Sequence, residues 1–213
     1  MNQIAIGGLN AVAEADRPNQ RSQAKRRTRE KILAAARALF AERGYEASTI
    51  RDIAKAAGMS TGAVFASFTD KSDLFIDIAE TEQAELYAEM RAAKEGLSGR
   101  AAILAMLDAA AERQLASLAL IQAIMSALWT PGLGEKVRRR LDRRTTVSLI
   151  LGVVQDDLQP ESVGYCPALI ADMIWDGYLA ALRRAALDGL TLEPLRVRIH
   201  DQTKTILAGL RRG

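Results

Sequence analysis

Cysteine and histidine occur once each, Cys166 and His200, so the chain can close no internal disulfide and offers no His/Cys cluster at metal-ligand spacing. Neither a metal site nor a bound cofactor is therefore expected. No stretch reaches the apolar length of a membrane span. The opening residues "MNQIAIGGLNAVAEADRPNQ" lack a basic region ahead of a long apolar core and carry Glu14 and Asp16, which argues against a secretory signal. A reducing cytoplasm fits, with no membrane partner. A phosphate-binding Gly-rich turn, a nucleophile elbow and a second histidine to pair with Cys166 are missing too, and no enzyme reading is expected. Cys166 precedes Pro167 at a predicted helix start, where the dipole would favour a thiolate. A redox switch competes there with the plainer reading of an inert small residue.

Aromatic residues make up 5% and prolines number five, while apolar residues reach 49% of the 213. Alanine and leucine dominate that apolar fraction, a mixture that favours helices and leaves strands little support, so an all-α protein is expected. Its length allows one sizeable core or two small ones. The net charge of +3 says little, but its distribution says more. Arg17, Arg21, Lys25, Arg26, Arg27 and Arg29 follow one another with no acid among them, just ahead of a helical pattern. A solvated tail and a nucleic-acid arm both fit such a run. Gly7, Gly8, Asn10, Pro18 and Asn19 break every period before it, so residues 1–24 read as a flexible extension, with a short helix near Leu9–Ala15 as the alternative.

From Thr28, a possible N-cap, Ile32, Ala36, Leu39, Phe40 and Arg43 form one helical stripe that Gly44 ends. A second helix starts at Ser48 or Thr49, with Asp52 placed as the partner in a capping box, and ends at Gly58. Ala54, Gly58, Met59 and Val64 then have the spacing of two helices crossing steeply through a tight turn, with Ser60 capping the third helix. This is a helix-turn-helix pattern preceded by a packing helix and a basic run.

The stretch "TREKILAAARALFAERGYEASTIRDIAKAAGMSTGAVFASFTDKSDLF", Thr28 to Phe75, resembles the TetR family of bacterial transcriptional regulators. The resemblance implies a DNA-binding head over residues 25–71 and a helical effector-binding and dimerisation domain over 72–213. It further implies a homodimer on a palindromic double-stranded operator, acting as a repressor that answers a small-molecule effector. The chain departs from the family's usual aromatic-x-aromatic end to the reading helix: Phe65 stands where a tyrosine commonly grips phosphate, and Ser67 where a longer polar side chain would. Affinity must then come from the surroundings, because phosphate contacts carry most of it and need not lie on the helix in the groove. The expected contacts are Arg26, Arg27 and Arg29, Thr49, Arg51 and Lys55, and Lys71, around a reader formed by Ser60, Thr61, Gly62, Ala63, Phe65 and Ser67. An architectural or protein-responsive DNA binder, and a sensor whose head no longer binds DNA, are the alternatives.

A fourth helix from Asp70 or Ser72 turns Leu74, Phe75, Ile78, Leu86 and Met90 inward, and the body then reads as helices near 99–116, 118–128, 134–156, 167–187 and 194–211. The last two carry small and apolar residues, Ala180, Ala181 and Ala185 and then Val197, Ile206, Leu207 and Leu210, as in the dimer contact of relatives. Met106, Met125, Trp129, Met173, Trp175 and Tyr178 are candidate walls for an apolar ligand, with core packing as the competing reading. In "KVRRRLDRRTTVSLILGVV", Arg138, Arg139 and Asp142 are expected to face solvent. Arg140 and Arg144 fall on the stripe of Val147, Leu151 and Val154 and so need a partner, either Asp172 or Asp176 within the protein or a carboxylate ligand.

Overall fold

The structure, a computed structural model, describes residues 20–158 and 164–209. Those residues form ten α-helices and no strand: α1 Gln20–Arg43, α2 Ile50–Ala56, α3 Thr61–Phe65, α4 Lys71–Ala93, α5 Gly99–Ala116, α6 Leu118–Ala127, α7 Leu133–Arg140, α8 Arg143–Val153, α9 Pro167–Asp188 and α10 Leu192–Gly209. A π-helical turn, Val154–Leu158, extends α8. The all-α expectation holds.

The head closes on a small aromatic core. Phe40, at the end of α1, meets the Phe75 ring edge-on at 5.1 Å, and Tyr45 packs on the same ring at 4.9 Å. Ile32, Ala36, Leu39, Ile53, Ala54, Val64, Phe68 and Leu74 are buried around it. Ser48 is buried and gives its hydroxyl to the Gly44 carbonyl at 2.8 Å, which leaves Thr49 to cap α2. The capping box is complete: the Asp52 N–H donates to Thr49 Oγ1, and Thr49 N–H donates to Asp52 Oδ2. The Thr49 hydroxyl, which donates to the same carboxylate, holds Asp52 below the usual carboxylate range.

α4 joins head to body, packing on α1 in the head and on α5, α7 and α8 beyond it. Its apolar stripe of Ile78, Leu86 and Met90 is buried, but it is interrupted by Glu82, which is only 4% exposed. A buried carboxylate requires partners. Arg37 of α1 contacts Glu82 Oε1, and Arg113 of α5, 15% exposed at its side chain, donates to Oε2 at 3.2 Å. Arg113 also pairs with Glu85 and donates to Glu89 at 2.6 Å, so three carboxylates one helical turn apart on α4 surround one guanidinium. Burial works to lower the Arg113 pKa, and the hydrogen bonds to Glu89 and Glu85 outweigh it, leaving the guanidinium more firmly protonated than usual. Glu82 thus fastens the head helix α1, the linking helix α4 and the body helix α5 at one point.

Three expectations are corrected. First, α1 is already helical at Gln20, eight residues before the proposed cap at Thr28, so Arg21, Lys25, Arg26, Arg27 and Arg29 lie on the helix itself. The rest of the expected extension, residues 1–19, falls outside the described residues. Second, the single helix expected over 134–156 is two: Leu141 turns extended at ψ 100° and Asp142 caps α8 by accepting from the Arg144 N–H at 2.9 Å. Third, that break resets the helical phase, so Arg140 and Arg144 share no stripe. Arg140 forms a bidentate pair with Glu80 of α4, at 2.6 and 2.7 Å, and it is Arg143 that meets Asp172 and Asp176, at 3.1 and 2.8 Å.

Candidate DNA-reading face and ligand cavity

The turn between α2 and α3 is built by Gly58, whose φ of +68° is the left-handed conformation. Its geometry lets Met59 N–H reach the Ala54 carbonyl at 2.9 Å, and Val64 is fully buried in the angle of the two helices. Ser60 Oγ accepts from Ala63 N–H at 3.2 Å and starts α3. With Val64 and Phe68 inward, Thr61, Gly62 and Phe65 are exposed, Phe65 by 56%, while Ala63 and Ser67 are partly covered. The short helix therefore offers solvent an uncharged face. Arg51 and Lys55, four residues apart on α2, are exposed beside it and make no hydrogen bond or ion pair among the described residues.

Two cations expected on that surface are committed to the protein. Arg29 donates to the Ser67 carbonyl at 2.7 Å and to Asp77 at 2.9 Å, and lies 4.1 Å above the Phe68 ring. Lys71 donates to the carbonyls of Tyr45 and Ser48 at 2.9 and 3.0 Å and lies 4.1 Å above the Tyr45 ring. Both hold the end of one head helix against another. Arg26 is exposed and 3.4 Å from Glu30, and Arg27 is exposed with no ion pair among the described residues. By helical spacing Lys25 and Arg26, not Arg27, continue the face of Arg29, which touches the end of α3.

The body carries a half-open cavity of about 1330 Å³ between α4, α6, α7, α8 and α9. Its walls are mainly apolar, with Leu86, Ile121, Ile124, Leu128, Val147, Leu151 and Leu179 among them, and of the candidate wall residues Met125, Trp129, Arg144 and Trp175 line it. Met106, Met173 and Tyr178 do not. Met106 is fully buried on the packed face of α5, and Met173 is exposed on the outer face of α9. Tyr178 lies beneath Trp175, stacked at 4.8 Å, and donates its hydroxyl to Gln114 Oε1 at 2.7 Å. Burial pushes its phenol far above the ordinary tyrosine range.

Glu82, Gln114, Arg138 and Arg143 also line the cavity, and the sequence pattern does not single them out as wall residues. Glu82 is detectable in principle, since a glutamate four residues from both Ile78 and Leu86 interrupts an apolar stripe. Arg138 belongs to a feature with no local signal: its Nη1 donates to the Leu128 carbonyl across the turn that begins α7. That turn brings Gly134 so near that a Cβ there would sit 2.4 Å from the same carbonyl oxygen.

Residues 32–78, which span most of the head, match the model of the tetR family of bacterial regulatory proteins. Among curated relatives, the transcriptional repressor AcnR of Corynebacterium glutamicum is 40% identical over 76 residues, 36% of this chain and 37% of that protein. The transcriptional regulator AcrR of Shigella flexneri is 41% identical over 64 residues, 30% of each chain. The chain thus matches these relatives over about a third of their length. The fatty acid degradation regulator FadR of Bacillus halodurans superposes with a TM-score of 0.71 at 18% identity, over 86% of this chain and 96% of the other. FadR of Bacillus subtilis, solved with stearoyl-CoA, gives 0.67 at 20%, over 86% and 98%. At such identity these structures establish a shared fold.

Proposed function

We propose that the protein is a ligand-responsive transcriptional repressor that binds a palindromic operator as a homodimer, with α3 in the major groove and a small effector in the body cavity. The observation that carries this reading is the uncharged exposed face of α3, fixed by the Gly58 turn and flanked by Arg51 and Lys55, which are exposed and make no ion pair among the described residues. Thr61 is available to hydrogen-bond a base edge, and Ala63 and Phe65 to touch thymine methyls. Repressors among the relatives support the direction of regulation, and the stearoyl-CoA complex of Bacillus subtilis FadR supports an occupied cavity. Leu169, Met173 and Leu187 on α9 with Val197 on α10 leave an exposed apolar stripe suited to a second copy. A purely architectural binder would have no use for so large a cavity.

Operators selected from random duplex DNA test the reading, and the salt dependence of affinity apportions the phosphate contacts. Replacing Lys25 and Arg26 together by alanine should lower the slope of log affinity against log salt by about two, at roughly 0.9 for each phosphate no longer neutralised. Arg27→Ala, on another side of α1, should leave the slope unchanged. Arg29→Ala should instead destabilise the head, because its partners are Ser67, Asp77 and Phe68. Equal slopes for the parent and the Lys25/Arg26 variant would remove α1 from the DNA contact.

A second expectation concerns Phe65, whose exposed ring lacks a phosphate-gripping hydroxyl. Phe65→Tyr should tighten binding to specific and random duplex alike by about 1 kcal/mol, the usual net contribution of one hydrogen bond. Titration of both duplexes at one salt concentration checks it, and a gain confined to the operator would reassign the hydroxyl to base reading.

A further inference from the structure

The cavity carries unequal charge once internal pairing is subtracted. Its lining carboxylates are all engaged: Glu82 by Arg37 and Arg113, Asp172 by Arg143 at 3.1 Å, Glu135 by Arg139 at 3.7 Å, and Asp142 as the cap of α8. Its lining cations are not. Arg138 donates only to the backbone carbonyl of Leu128, and the Arg144 guanidinium has no hydrogen bond or ion pair among the described residues. These two arginines belong to the helices on either side of the break at Leu141 and Asp142, and the remaining wall is largely aliphatic and aromatic.

We infer that the cavity takes an anionic amphiphile, a hydrocarbon chain ending in a carboxylate or phosphate, with the head at Arg138 and Arg144 and the chain along Ile124, Leu128, Val147 and Trp175. The inference rests on the proposed reading of the cavity as a ligand site and specifies what that ligand is. Guanidinium offers a planar fork of donors that matches carboxylate and phosphate oxygens, and beside apolar walls such a charge-assisted bond is stronger than in water. A cationic amphiphile would find Glu82, Glu135 and Asp172 already paired, Asp142 engaged as a helix cap, and two guanidinium groups repelling it. A neutral alcohol would gain the apolar contact alone and leave Arg144 unpaired.

Trp129 and Trp175 are the only tryptophans in the chain, and both line the cavity, so intrinsic fluorescence reports on it directly. The full-length protein is titrated, below each micelle concentration, with laurate, dodecyl phosphate, dodecanol and dodecyltrimethylammonium. Laurate or dodecyl phosphate should bind at least tenfold tighter than the alcohol, with the ammonium weakest, and the tighter of the two acids identifies the head. Arg144→Ala should weaken the preferred acid about tenfold and leave dodecanol unchanged; since Arg144 is exposed and its side chain unpaired, the variant should fold like the parent. Saturation by none of the four, equal affinity for alcohol and acids, or indifference to Arg144→Ala would overturn the inference. Operator release is measured separately, so acid binding without release would sustain this inference while refuting the regulatory reading above.

Discussion

Gly58→Val should weaken operator binding by one to two orders of magnitude while the body remains folded and associated. The site has room: a Cβ on Gly58 meets nothing within 4 Å. The penalty is therefore conformational, since φ is +68° and a left-handed non-glycine residue costs about 1–3 kcal/mol, most for a β-branched side chain. Relief requires turning α3 relative to α2, which pulls Met59 N–H away from the Ala54 carbonyl and lifts Val64 from the head core. The cause makes an order of severity: Gly58→Asn, whose new side chain tolerates this conformation, should bind near the parent level, Gly58→Ala less well and Gly58→Val least. Operator titration of the three variants, with size-exclusion chromatography for assembly, checks it. Parent-like affinity for Gly58→Val would mean that α3 does not need this angle to bind.

The head is legible in the sequence because its signals are local. A capping box at Thr49 and Asp52, a left-handed glycine at 58 and a cap at Ser60 each operate within a few residues, and the structure repeats them. Sequence reasoning fails where a side chain's role depends on a distant segment. Arg29 resembles a phosphate contact because it ends a basic run, yet its partners are 38 and 48 residues away. Met106 and Tyr178 have the same helical surroundings in sequence as Met125 and Trp175, and only the packing of α5 and α9 separates core from cavity. The break at Leu141 is hidden because no glycine or proline marks it; the cap is a lone aspartate within a run of arginines. Shifting the phase there moves the ion pair with Asp172 and Asp176 from Arg144 to Arg143, which leaves Arg144 free for the cavity.

The short helix α7 has the geometry to carry a signal between cavity and head, and the last prediction tests whether it does. Glu135 and Arg138 line the cavity, while Lys136 and Arg140 on the same helix hold α4. Lys136 Nζ donates to Ser72 Oγ at 2.8 Å and lies 3.5 Å from Asp70, the N-cap of α4, and Arg140 pairs bidentately with Glu80 two turns further along. A ligand that takes Arg138 from the Leu128 carbonyl loosens the turn that begins α7, and any resulting shift of α7 is passed by its two anchors to the head end of α4. Both anchors are exposed, so their removal should scarcely alter stability. Their effect on coupling should be large, because Lys136 and Arg140 are the side chains by which α7 grips the head end of α4. Replacing Lys136 and Arg140 together by alanine should leave operator affinity and tryptophan-detected ligand binding close to the parent's, yet abolish ligand-induced release. A typical coupling changes affinity about 5–150-fold, so the difference is readily measured by titrating operator with and without saturating ligand. Undiminished release from the double variant would rule α7 out and direct attention to Glu82, the other lining residue whose partners, Arg37 on α1 and Arg113 on α5, connect the head to the body.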